Sequence, residues 1–335
     1  MSYLFPSSTI TFDAALRDLE GGSPKARVLA ASALADVTAP EEKRAAVVAL
    51  GKALDDPRAE VRAEASAGLG VLGDERAVPG LLRRLDDGDA AVRQCAAIAL
   101  GALGHADAWE PLAQALREGP ADLRYQAASS LAELDPPRAY EPLVAALDDG
   151  DPQVLAAIAL ALGAIGDGRA VAHLARLLDH ADVSVRFDAA YALAQLDDGR
   201  GRDVLATALG DSERAWDAIA SLERLGGAAD ADQLAKVLGD RKAPPQIQLR
   251  AASAVLSLAP DHARAEAARR VLVAGTALRK PELRGLAVEE LGKVGGPWAV
   301  DALAKLRNGR RGKDLMDEID QAMRAIETRG RSERT

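Results

Sequence analysis

The residues that could carry covalent or metal chemistry are few and scattered. The 335-residue sequence has one cysteine, Cys95, and four histidines. No Cys/His cluster has the spacing of a zinc site, and no glycine-rich phosphate loop or nucleophile elbow is present. A single cysteine excludes an internal disulfide and favours a reducing compartment. The sequence therefore predicts no catalytic residue, no metal site and no cofactor.

One charged residue recurs at a fixed interval. Arg62, Arg93 and Arg124 are 31 residues apart, and Arg186 follows two intervals later, with Leu155 at the skipped position. A row of cations is one way to contact phosphates. The formal net charge of −9 argues against a general nucleic-acid binder, because such affinity comes from an excess of Lys and Arg.

Each interval has the pattern of two helices. Val78, Leu81 and Leu85 lie on one stripe of a first helix, and the recurring arginine opens a second helix rich in Ala and Leu. Asp-Pro or Gly-Asp pairs between the helices are typical of caps, and glycines after the second helix are typical of stops. Hydrophobic residues make up 48% of the chain and aromatics only 3%, which indicates a core of small aliphatic side chains.

These units resemble a known repeat family. Asp-Asp-x-Asp-x-x-Val-Arg before Ala-Ala-x-Ala-Leu-Gly-x-Leu-Gly is similar to the short HEAT repeats of the phycobilin-lyase type, and the resemblance covers roughly residues 12 to 327. It implies an all-α fold, a right-handed α-solenoid (superhelix) of about nine to ten two-helix repeats. We expect an N-terminal leader at residues 1–11, one solenoid domain at residues 12–327 and a flexible basic tail at residues 328–335.

The resemblance also implies a structural role for the recurring arginines. In similar repeats they bridge neighbouring units by bonding acidic turn residues, a role that suits the bidentate guanidinium. We assign to this role Arg62, Arg93, Arg124, Arg186 and Arg284, with Asp56, Asp87, Asp89, Asp149 and Asp182.

Function is expected where the units differ. The positions one and five residues after the recurring arginine vary most and share one helix face. Aromatic and apolar residues concentrate there in four consecutive units, flanked by carboxylates, and predict a groove that binds an apolar and basic partner segment. The predicted partner-binding residues are Tyr125, Leu160, Phe187, Asp188, Tyr191, Trp216 and Asp217.

A second interpretation of the aromatic residues is that they fill the core between helices. We expect this of Trp109 and Tyr140, which occupy the position held by valines in other first helices. Cys95 is expected to be a small half-buried residue and not a nucleophile.

Three functions remain open from the sequence. The favoured hypothesis is a non-enzymatic protein–protein interaction scaffold or adaptor that binds a peptide or helix in a concave groove. The resemblance implies a bilin lyase-type protein as an alternative, and a HEAT-like DNA glycosylase is a third. The iron-dependent hydroxylases with HEAT repeats carry His-Glu pairs, which this sequence lacks. We expect a cytoplasmic protein that binds another protein, without nucleic-acid binding or membrane insertion.

Overall fold

The computed structural model describes residues 10–240 and 242–332, and the regular secondary structure of these residues consists of helices, without strands. Twenty α-helices form ten two-helix repeats. The first helices are α1 (Phe12–Gly21), α3 (Pro40–Ala53), α5 (Val78–Arg84), α7 (Trp109–Glu118), α9 (Pro136–Ala145), α11 (Val171–Leu177), α13 (Arg202–Ala208), α15 (Ala228–Val237), α17 (Ala265–Gly275) and α19 (Pro297–Asn308). The second helices are α2 (Pro24–Ala35), α4 (Ala59–Leu72), α6 (Ala90–Leu103), α8 (Ala121–Leu134), α10 (Pro152–Ile165), α12 (Val183–Gln195), α14 (Ala215–Leu225), α16 (Pro245–Leu258), α18 (Pro281–Val294) and α20 (Met316–Ser332).

The α-solenoid class and the number of repeats predicted from the sequence are confirmed. The chain divides into two compact units, residues 1–173 and 174–335. In the first unit each second helix from α2 to α10 contacts the next one, and in the second unit the same holds from α12 to α20. Successive second helices therefore form the continuous layer of each unit.

Local sequence explains where the second helices begin and end. The side chains of Asp89, Asp151 and Asp182 accept hydrogen bonds from free amides at the starts of α6, α10 and α12. Gly73 and Gly104 end α4 and α6 with positive φ angles of 69° and 67°, which residues with a side chain rarely adopt.

Small residues allow the second helices to stack closely. A Cβ atom at Gly70 of α4 would lie 2.9 Å from the Cα and Cβ atoms of Ala99 in α6, and one at Gly101 of α6 would lie 3.0 Å from Ser130 in α8. Those distances are shorter than van der Waals contact. The close approach of the neighbouring backbone therefore requires glycine at these two positions. The alanine-rich composition is explained in the same way, because small side chains let the second helices pack closely.

Four arginines join consecutive repeats in the first unit. Each guanidinium bonds an aspartate of the next repeat and also donates, through Nη1, to a carbonyl of the turn before its own helix. The pairs are Arg27–Asp56, Arg62–Asp87, Arg93–Asp122 and Arg124–Asp149, with shortest N···O distances of 2.8, 2.7, 2.8 and 2.6 Å. These side chains are largely buried, and we call them the Arg–Asp ladder.

Several residues assigned to the ladder from the sequence lie outside it. Asp89 and Asp182 cap helices instead of pairing with an arginine of the preceding repeat. Arg186 donates to the carbonyls of His180 and Ala181. Asp211, 25 residues further on, is bonded by Arg214 at 2.6 Å.

Arg284 also departs from the ladder, since it donates to two carbonyls of the loop that precedes its own helix. The residue 25 positions further on is Gly309, which has no carboxylate to offer. Arg284 therefore fixes its own turn and does not bridge two repeats through a side-chain pair.

The predicted leader and tail lie only partly within the described residues. Residues 1–9 of the leader lie outside the described residues, and Thr11 caps α1. Helix α20 continues through Ser332, past residue 328, where the predicted tail begins. Arg329 Nη2 donates to the carbonyl oxygens of Gly292 and Gly295 at 2.8 and 2.9 Å and ties α20 to the end of α18. Residues 333–335 lie outside the described residues.

Candidate functional site

In the first unit, exposed apolar side chains lie on adjacent second helices. Tyr125 of α8 is 41% exposed and Ile98 of α6 is 47% exposed, while Leu160 of α10 is half-buried. Helix α8 contacts both α6 and α10. The predicted residues Tyr125 and Leu160 therefore belong to one surface of three neighbouring helices, which also includes Ile98. We call it the Tyr125 surface.

In the second unit, the predicted residues lie on α12 and α14, which contact each other. Trp216 is 39% exposed, and its neighbour Asp217 is also exposed. Asp188 and Tyr191 of α12 are half-buried. Neither carboxylate has an ion-pair partner among the described residues. We call these four side chains the Trp216 surface.

Phe187, one of the predicted partner-binding residues, is buried. Its ring is 6% exposed and belongs to the apolar core of the second unit. The guanidinium of Arg214 lies over the ring at 5.8 Å, and it is itself bonded to Asp211 and Ser184. Phe187 fills space between helices, the second interpretation that the sequence left open for the aromatic residues.

On the Trp216 surface, Asp188 is the group whose environment shifts its pKa. Burial raises the pKa of its carboxyl to about 6, and the like charges of Asp182 and Asp217 act in the same direction. Arg214 opposes the increase without cancelling it. A carboxylate kept half-buried without a counter-ion destabilises the free protein and would gain a partner when a cation binds.

Replacing Asp188 by Asn is expected to stabilise the free protein at neutral pH. The folded pKa is raised above the unfolded value of 3.8, so ionisation costs stability as pH rises from 3.8 through 6. The gain at pH 7.5 is about 1–2 kcal/mol after allowance for screening by solvent, and it should shrink toward pH 4. Urea denaturation at both pH values measures it. Equal stabilisation at both would contradict the assignment.

A row of charged side chains on the second helices was missed from the sequence. Arg250 of α16 donates to Glu223 of α14, and its Nη1 lies 3.9 Å from Oε2 of the fully buried Glu290 of α18. Lys293 Nζ lies 3.0 Å from the other oxygen of Glu290. Glu290 is the sequence feature that could have predicted this row, because the other repeats hold Gly, Ala or Ser at that helix position.

The aromatic residues predicted to lie in the core are buried, and the cysteine predicted not to be a nucleophile is half-buried. Trp109 and Tyr140 are 5% and 4% exposed, and the guanidinium groups of Arg138 and Arg169 lie over their rings at 4.1 and 4.0 Å. The core role expected for both is confirmed. Cys95 is half-buried, and burial raises the pKa of its thiol, with Glu64 and Asp89 adding to the increase. At neutral pH Cys95 is a protonated thiol of low reactivity.

The described residues contain no group of three or more His, Cys, Asp and Glu side chains placed to hold a metal ion. Over the same stretch of chain, none of the helices combines the length and the apolar character that crossing a membrane requires.

Comparison with known families and structures identifies the repeat type. The family model for HEAT repeats matches residues 47–132 and 109–194. Importin beta is similar in structure, with a TM-score of 0.61 at 17% identity over 94% of this chain and 52% of importin beta. The chain thus spans about half the length of importin beta, and at this identity the likeness shows the fold alone.

Two further structures are similar at lower TM-scores. A phycocyanin lyase complex from Nostoc sp. PCC7120 matches at 26% identity over 81% of this chain and 97% of its own, with a TM-score of 0.40. Human deoxyhypusine hydroxylase matches at 23% identity over 84% and 95%, with a TM-score of 0.36. Comparison with curated protein sequences gives no match.

Proposed function

Since the chain is a HEAT-repeat protein, we propose that it acts as a non-enzymatic protein–protein interaction scaffold that binds a partner segment on its second helices. Repeat arrays of this kind present extended surfaces for binding. The proposal includes a cytoplasmic location, in keeping with the single, half-buried cysteine.

The observation that carries the proposal is the exposure of two aromatic side chains on second helices. Tyr125 and Trp216 are 41% and 39% exposed in a protein whose core is built from Ala, Leu and Val. Solvent-exposed aromatic rings offer a large contact area at small entropic cost and are enriched at interaction hot spots.

The charge around Trp216 indicates the chemistry of the partner segment. Asp217 and Asp188 are carboxylates without ion-pair partners among the described residues. Arg214, the cation whose charge acts on Asp188, is already bonded to Asp211 and Ser184. A Lys or Arg of the partner would neutralise both carboxylates while an adjacent apolar side chain covers the Trp216 ring. We therefore propose an apolar and basic segment as the ligand of the Trp216 surface.

The experiment that tests this function compares capture of partners from native lysate by the wild-type protein and by two variants. We expect Trp216→Ala and Tyr125→Ala each to lower the amount of a specific captured protein by about tenfold, because truncation of an aromatic hot spot costs at least about 1–2 kcal/mol. Both variants should retain wild-type helicity, since the rings are not core residues.

The matched control is Val48→Ala, which removes a 54% exposed apolar side chain from a first helix, α3. Capture by this variant should equal that of the wild type. Undiminished capture by both aromatic variants, or equal loss in the control, would contradict the proposed role of the second helices.

A further inference from the structure

A groove runs between α18 and α20 in the second unit, on helices other than those of the Trp216 surface. It encloses about 600 Å³. Its lining extends from Glu282 to Lys293, so it follows α18 for about 16 Å at 1.5 Å per residue. The apolar part of the lining consists of Gly285, Leu286, Val288, Gly292, Leu315, Ala322 and Ala325. We call it the α18/α20 groove.

The groove contains a glycine where the three preceding second helices carry a large side chain. Gly285 of α18 lies one residue after the recurring arginine position, which in the preceding second helices is followed by Phe187, Trp216 and Leu249. A Cβ atom at Gly285 would first meet the Cδ2 atom of Leu315, at 3.6 Å, an ordinary van der Waals distance. Space that a ring or leucine occupies in the three preceding repeats is therefore open here.

The apolar floor is only partly covered. Leu286 and Leu315 remain half-exposed, whereas Val288 and Ala322 are buried. Both leucines pack against the core of the second unit and keep part of their surface accessible in the groove. An elongated strip of apolar surface between two helices has the shape that the apolar face of a third helix fits.

The rim of the groove is negatively charged. Glu282, Glu289 and Glu318 line it with exposed carboxylates, and Lys293 is the one cation among its lining residues. Lys293 Nζ is engaged by Glu289 at 2.7 Å and by Glu290 at 3.0 Å. Glu282 and Glu318 have no ion-pair partner among the described residues. The rim therefore presents two uncompensated negative charges beside an apolar floor.

We propose that the α18/α20 groove is a docking site for a basic amphipathic helix of a partner protein. A large apolar side chain of that helix occupies the space over Gly285, and its Lys or Arg residues lie against Glu282 and Glu318. The charge of the rim selects against acidic helices by repulsion. This site does not depend on the Trp216 surface and adds a second contact region to the proposed scaffold.

The test uses the full chain and a fluorescein-labelled helical peptide of about five turns, with a leucine stripe and lysines elsewhere, followed by fluorescence anisotropy. We expect Gly285→Leu to weaken binding at least tenfold, since the new side chain fills the groove. The variant should not lower the Tm, because Leu is a better helix former than Gly and the site has room for it.

Two controls separate filling of the groove from other effects. Gly51→Leu in α3, where an added Cβ meets nothing within 4 Å, should bind the peptide as the wild type does. The double variant Glu282→Gln/Glu318→Gln, which leaves the floor intact, should weaken binding several-fold and reduce its dependence on salt.

The outcomes distinguish the two surfaces. Loss of binding in Gly285→Leu and in the double glutamine variant, with Trp216→Ala unchanged, supports the α18/α20 groove. Loss in Trp216→Ala alone supports the proposed function while overturning this inference. Equal affinity for a peptide with glutamates in place of lysines also overturns it. If Gly285→Leu does not fold, weakened binding by the double glutamine variant supports the groove and undiminished binding overturns it.

Discussion

Replacing Asp87 by Ala is expected to lower the free energy of unfolding by about 3 kcal/mol, because it removes the carboxylate that accepts from Nε and Nη2 of the largely buried Arg62. The carboxylate, whose side chain is 4% exposed, accepts from Arg62 Nε at 2.8 Å and Nη2 at 2.7 Å and from Arg84 Nη1 at 3.3 Å. It also accepts from the Asp89 amide at 3.0 Å. Equilibrium denaturation in urea measures the loss.

The matched control for this prediction is a surface pair of the same chemistry. Arg76 and Asp74 approach to 2.6 Å, but the Arg76 side chain is 52% exposed, so Arg76→Ala should leave the free energy of unfolding nearly unchanged. A double-mutant cycle of Arg62→Ala with Asp87→Ala should show coupling above about 1 kcal/mol. Equal losses at the ladder and surface positions would contradict the structural role of the Arg–Asp ladder.

The same pair predicts sensitivity to acid. Hydrogen bonds from Arg62 hold the pKa of Asp87 below its usual value of 3.8, and Arg124 lowers the pKa of Asp149 in the same way. Because these folded pKa values are depressed, the stabilisation is present above pH 3.8 and is lost as pH falls through the folded values. Asp87→Ala should therefore be less sensitive than the wild type over that interval.

Replacing Gly70 by Val is expected to cost about 3 kcal/mol through the stacking of α4 on α6. The new Cβ would lie 2.9 Å from the Cα atom of Ala99, and a backbone atom cannot move aside without shifting the whole helix. Gly51→Val is the control, because an added Cβ there meets nothing within 4 Å and its stability should stay within about 0.5 kcal/mol of wild type. Similar losses at the two glycines would show that close packing is not the cause.

The architecture could be predicted from the sequence because its determinants are local and repeated. Leucine stripes, aspartate caps and terminal glycines recur along the chain, so successive copies support the same prediction. The partners of the ladder arginines were less evident. The acceptor lies 25 residues after Arg62 and Arg124 but 29 residues after Arg93, where it is Asp122. A single fixed spacing therefore does not identify Asp122.

The candidate surfaces could be predicted only in part, because the burial of a side chain in the layer of second helices depends on neighbours that are distant in sequence. Phe187 and Trp216 occupy the same helix position, yet one is 6% and the other 39% exposed. The position of a residue in the repeat shows which helix face it shares. It does not show how closely the next helix approaches that face. The α18/α20 groove was not predicted for a related reason, since Gly285 acts through the side chain it lacks.

Hydroxyl-radical footprinting of the complex with a captured partner tests most directly whether the second helices form the binding face. Oxidation of Trp216 and Tyr125, measured by mass spectrometry, should fall at least threefold when the partner is bound. Trp298 of the first helix α19, half-buried, is the internal control in the same sample and should be oxidised equally in both states. Unchanged oxidation of Trp216 and Tyr125 in a saturated complex would contradict the proposed function.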